Sequence, residues 1–176
     1  MYGLIVRRRS VATFTRLSRG EWRKVTDGLA DDVRHVFPGD SPLSGERHSR
    51  DEVVRWFERL DRLFPGHTFD VHRVASRGWP WNTWIAVQWS AEMQPVVGEP
   101  YENHGTHWIQ VRWGKVVAFH AYLDTQRIDE ACQAMAREGI PEAAAVPIGR
   151  ALGGAGLAAS NGKAGLLSQR HPRLGP

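Results

Sequence analysis

The 176-residue sequence predicts an α+β domain: helices first, then a bent antiparallel sheet, then a closing helix. Three observations carry that prediction. Apolar residues recur at three- and four-residue steps as far as Phe64. From His67 the period changes to two and holds to Leu123, and helical spacing returns at Ile128, Ala131, Cys132 and Met135.

The first helical stretch places Ile5, Val11, Phe14 and Leu17 near one face, with Gly20 as its stop. A second short helix has Trp22, Val25 and Leu29 at helical spacing, and Val33 to Phe37 alternates like a short strand. Residues 38–45, rich in Pro, Gly and Ser, form a loop. The next helix opens on a capping box. Ser49 takes a free backbone N–H, and the Glu52 carboxylate reaches back to another. Val53, Trp56, Phe57, Leu60 and Phe64 then form one broad apolar face. Strands follow. Trp79-Pro80-Trp81-Asn82 makes a bend, and Ile85, Val87, Trp89, Ala91 and Met93 share one strand face. His104–Arg112 and Lys115–Leu123 form a hairpin closed at Trp113-Gly114, and Asp124 caps the closing helix.

Composition narrows the function classes. Hydrophobic residues make up 41% and charged residues 24%, the usage of an ordinary globular chain. The single cysteine, Cys132, excludes an intrachain disulfide. No apolar run is long enough for a membrane span or a secretory segment, so a cytoplasmic location and no membrane partner are expected. Of 23 basic and 19 acidic residues, four bases and one acid lie from Pro141 onward, so the body is almost neutral. A phosphate-tracking groove needs Lys and Arg clustered on one surface; the body shows none, Arg7 to Arg9 reading as a solvated helix face, and no nucleic-acid partner is expected. From Pro141 the chain holds seven Gly, eight Ala, four Pro and no aromatic residue. Such a stretch buries too little apolar area to offset its ordering. The reading is a domain over residues 1–140 and a flexible tail over 141–176.

The segments Leu17-Ser18-Arg19-Gly20-Glu21-Trp22, Leu29-Ala30-Asp31-Asp32-Val33, Trp113-Gly114-Lys115-Val116-Val117 and Ala121-Tyr122-Leu123-Asp124-Thr125 stand in an order that resembles the SnoaL-like branch of the NTF2-like cone folds. The resemblance implies helices laid across a curved sheet that encloses a pocket. It also implies a role in the range of polyketide cyclases, steroid isomerases and epoxide hydrolases. The acids and the tyrosine of the isomerases fall at Phe37, Thr13 and Thr106, and the hydrolase acid at Ala121. None of these can act as a base. No cofactor is expected.

With a two-residue turn at Trp113-Gly114, cross-strand pairing sets His107 opposite His120, Trp108 opposite Phe119 and Thr106 opposite Ala121. Alternation brings Asp124 to the face of His120, so His107, His120 and Asp124 form a candidate acid–base cluster. Two His and one Asp could also hold zinc, but nothing fixes a further ligand, and no metal site is expected. The opposite face carries His35, Phe37, Thr106, Trp108, Phe119, Ala121 and Leu123, the expected lining of an apolar pocket for a hydrophobic small molecule. An outer strip of Val87, Ile109 and Val111 points to a homodimer.

Overall fold

A computed structural model describes residues 1–152. Its helices are α1 (Tyr2–Ser18), α2 (Trp22–Thr26), α3 (Arg50–Leu63) and α4 (Thr125–Arg137). Its strands are β1 (Leu29–Phe37), β2 (Gly45–Arg47), β3 (Thr68–Trp79), β4 (Asn82–Met93), β5 (Tyr101–Arg112) and β6 (Lys115–Leu123). They form one curved, unclosed sheet in the order β2-β1-β6-β5-β4-β3. The sheet is mixed: β1 runs parallel to β6, and every other neighbour pair is antiparallel. Helices α1, α2 and α3 pack together on one face of the sheet, α1 against β3 and α3 against β1.

The α3 prediction holds in detail. Glu52 N–H donates to Ser49 Oγ at 3.2 Å, while the Glu52 carboxylate accepts from His48 N–H at 2.8 Å, one residue before the N-cap. Val53, Trp56, Phe57, Leu60 and Phe64 are all buried. On α1 the buried face is Val6, Ser10 and Phe14, and Ile5 and Val11 point to solvent. Leu29 opens β1 rather than ending α2. The five alternating β4 residues, Ile85 to Met93, all face the core. Asp124 caps α4 by accepting from Gln126 N–H at 3.1 Å.

The β5–β6 hairpin differs from its expected register. Arg112 does pair with Lys115 across a turn in which Trp113 and Gly114 both have positive φ. Val111 then pairs with Val116 but Gln110 with Ala118, so Val117 is an extra residue on β6. A one-residue bulge reverses which faces of two strands coincide. His107 therefore stands opposite Ala121, Trp108 opposite His120, and Thr106 opposite Tyr122.

Packed contacts do not stop at residue 140. Pro141–Ala144 form a 3-10 turn with Ala143 buried, and Arg62 holds Glu142 through two hydrogen bonds of 2.6 Å. Arg59 Nη1 donates to Val146 O at 2.8 Å, and Arg150 pairs with Glu46 through reciprocal backbone bonds of 2.8 Å. A Cβ on Gly149 would lie 2.2 Å from Glu46 O, so this approach of backbone to backbone needs glycine. Residues 141–150 thus pack on the body, because two arginines of α3 and the free edge of β2 supply polar partners that composition does not reveal. The rest of the expected tail, residues 153–176, lies outside the described residues.

Candidate functional site

A cavity of about 110 Å³ lies between the helices and the inner face of the sheet. Its wall is almost wholly apolar, with Phe14 and Leu17 of α1, Trp56 and Leu60 of α3, and Ile109 and Phe119 of the sheet. Four wall residues carry polar side chains of other kinds: Thr13, His67, Asn103 and His107. Bulky rings of the wall meet edge to face. Phe14 crosses Phe69 at 5.3 Å and 87°, and Phe69 crosses Trp89 at 5.1 Å and 87°.

His107 is the most informative group. It sits on the inner face of β5 opposite Val87 of β4, crossed by the Phe14 ring at 72° with ring centres 5.5 Å apart. Trp89 Nε1–H donates to His107 Nδ1 at 2.7 Å. An indole N–H can only donate, so Nδ1 accepts and the proton of the neutral ring resides on Nε2. Desolvation, and then the nearby His120, pushes the His107 pKa down to about 4, so the ring is neutral at physiological pH. The side chain is of intermediate exposure and forms part of the cavity wall. Among the described residues His107 Nε2 has no hydrogen-bond partner, and it is not sealed off. A neutral imidazole held this way presents one N–H donor to an apolar space. It can polarise an oxygen acceptor, but it is not a proton acceptor.

The expected His107, His120 and Asp124 cluster is not assembled. The Val117 bulge sends His120 to the outer face, where it stacks on Tyr122 at 4.1 Å. Partial burial, and then Arg34, holds the His120 pKa below its ordinary value. Asp124 is the N-cap of α4, with Arg127 Nε 3.6 Å from its second oxygen. Among the described residues no three His, Cys, Asp or Glu side chains converge on a point that could hold a metal ion.

The expected pocket residues also divide. Phe37, Phe119 and Leu123 line the cavity. Ala121 faces inward and is fully buried, packed into the core. Trp108 and Thr106 lie on the outer face, Trp108 being 47% exposed and tilted against Trp84 at 6.0 Å. His35 sits behind the cavity wall, stacked on Phe119 at 4.1 Å and edge-on to Trp56 at 4.5 Å. Both its ring nitrogens lack partners, and burial holds its pKa well below the ordinary value. Val87 and Ile109 face inward rather than forming an outer strip. Among the wall residues that sequence reasoning missed are Ile109, His67 and Phe14. A signal existed for the first: Glu102, His104, Gln110 and Arg112 share the parity of Trp108, a polar set that marks the solvent face.

Residues 10–119 match the model of the SnoaL-like domain family. No curated protein matches the chain by sequence. Among solved structures, the chain is similar to an NTF2-like protein of unknown function from Burkholderia pseudomallei K96243. Identity is 20%, covering 68% of this chain and 90% of that one, with a TM-score of 0.60. It is also similar to TerC co-crystallised with polyporic acid, at 17% identity over 69% of this chain and 92% of that one, with a TM-score of 0.59. A third is a candidate SnoaL-like polyketide cyclase from Jannaschia sp. CCS1, at 16% identity over 69% and 89% of the two chains, with a TM-score of 0.53. At these identities the likeness is one of fold.

Proposed function

The chain belongs to the SnoaL-like domain family, and on that premise we propose that it binds a hydrophobic small molecule in the cavity, with His107 Nε2–H as a directed polar contact. The observation that carries this reading is the Trp89–His107 hydrogen bond, which fixes an unpartnered N–H donor at an apolar wall. A wall of this kind favours a ligand that buries rings and offers an oxygen acceptor. The volume of about 110 Å³ suits a group the size of one ring, since a dry apolar cavity of about 150 Å³ accepts benzene. A larger ligand would have to part α1 from the sheet.

Toluene and benzaldehyde are suitable probes, followed by calorimetry and by the fluorescence of Trp89. Both should bind, benzaldehyde the tighter by about tenfold for one added hydrogen bond. Leu17→Phe, which narrows the cavity from α1, should weaken both. Absence of binding by either probe, or binding indifferent to Leu17→Phe, would refute the reading.

An enzyme of the cyclase, isomerase or hydrolase kind is the second reading. His107 facing the cavity favours it, in the role of a donor to a substrate oxygen rather than of a base. The partner expected from the outer sheet face is a second copy of this chain. Trp84, Trp108 and Tyr122, 38%, 47% and 56% exposed on that face, support it.

A further inference from the structure

A second imidazole reaches the same cavity. His67 lies between Gly66 and the first residue of β3 and is only 4% exposed. Its Nδ1 is 3.0 Å from Phe64 O. A carbonyl oxygen only accepts, so His67 Nδ1 carries the proton, and in the neutral ring Nε2 holds a lone pair. Among the described residues that nitrogen has no hydrogen-bond partner; it is not sealed off, and His67 is part of the cavity wall.

His107 is the opposite case, since Trp89 supplies a proton to its Nδ1 and leaves the N–H at Nε2. The two rings are thus held in opposite tautomers by partners of fixed polarity. Both rings belong to the cavity wall, and their Nε2 atoms are of opposite polarity, a donor on His107 and an acceptor on His67. Phe69 and Phe14 bridge the space between them, with ring centres 5.6 Å from His67 to Phe69, 5.3 Å from Phe69 to Phe14 and 5.5 Å from Phe14 to His107. The remaining polar wall groups are turned elsewhere. The Thr13 hydroxyl donates to Arg9 O at 2.9 Å, and the Asn103 amide nitrogen donates to Asp124 O at 2.9 Å. Asn103 Oδ1 is enclosed without a partner.

We propose that His67 is a second ligand-binding residue, and that the occupant is a small planar molecule carrying both an acceptor and a donor. The acceptor bonds His107 Nε2–H, and the donor bonds His67 Nε2. This rests on the cavity-binding reading and deepens it. A purely apolar occupant would strip water from both nitrogens and give nothing back, which costs affinity. A molecule matched to both recovers two bonds in a dry site, and the spacing of its groups then sets selectivity.

The test is calorimetry on the full chain at about pH 8, where an ordinary imidazole is neutral. The probes are toluene, benzaldehyde, phenol, the three hydroxybenzaldehydes and the three methoxybenzaldehydes. At least one hydroxybenzaldehyde should bind tighter than both benzaldehyde and phenol, by about tenfold for the added bond. Its methoxy counterpart, which cannot donate, should lose that gain. His67→Phe should bring the hydroxybenzaldehyde down to the affinity of benzaldehyde measured in the same variant. The ligand-side comparison decides the matter even if that variant does not fold. Toluene and benzaldehyde binding with no gain from a hydroxyl in any isomer would overturn the role of His67 and leave the cavity reading standing. Failure of toluene itself would overturn both.

Discussion

At Gly105 a Cβ would stand 2.6 Å from the Trp89 ring, which lies across the backbone of β5. Glycine there is what lets the indole cross from β4 and place its N–H on His107. Gly105→Ala should displace Trp89, break that bond and cost roughly 1–3 kcal/mol, the range for overpacking a filled core. Chemical denaturation gives the loss and Trp fluorescence the displacement; an unshifted spectrum would count against the arrangement. His107 also makes stability depend on pH. Its native pKa is about 4 against an ordinary 6.5, so the unfolded chain takes up a proton that the folded one refuses. The stabilisation is whole above about pH 6.5 and is lost as pH falls toward 4, roughly 3 kcal/mol in all. Buried His35 acts in the same direction. The thermal midpoint should fall between pH 7 and pH 5, and His107→Phe should flatten that fall. An equally steep profile in the variant would place the proton elsewhere.

At the scale of elements, legibility followed the range of the interactions. The α3 cap and apolar face were readable because their partners lie three and four residues apart. The inner face of β4 was readable because five apolar residues alternate without a break. The β5 face was misread because pairing was carried inward from the turn, and one unpaired residue, Val117, reverses it. The polar set Glu102, His104, Gln110 and Arg112 on β5 itself was the better guide. Asp124 illustrates the same contrast between a local role and a remote one. As an N-cap it is replaceable by asparagine, so Asp124→Asn should leave stability nearly unchanged, while Asp124→Ala should cost about 1 kcal/mol. Urea unfolding of the pair separates the two outcomes. A large loss in Asp124→Asn would mean that the charge beside Arg127 matters more than the cap.

For the whole molecule, the outer sheet face poses the main open surface. Trp84 and Trp108 tilt together at 6.0 Å beside the stacked His120 and Tyr122, an aromatic area on an otherwise polar face. If a second copy covers it, sedimentation at micromolar concentration should give a dimer, and Trp108→Glu a monomer of unchanged helix and sheet content. A wild-type monomer would sink that proposal. Among the described residues no helix is long and apolar enough to cross a membrane.

The sequence by itself determined the element order, the helix caps, the inner face of β4 and the family likeness, all of which depend on near neighbours or on unbroken periodicity. The tertiary structure alone decided which imidazoles meet the cavity and in which tautomer. That outcome needed a bulge at Val117, a glycine opposite Trp89 and a carbonyl at the end of α3. Each is a contact between residues whose proximity no spacing rule expresses, and a one-residue change in register is enough to move a side chain from one face of a sheet to the other.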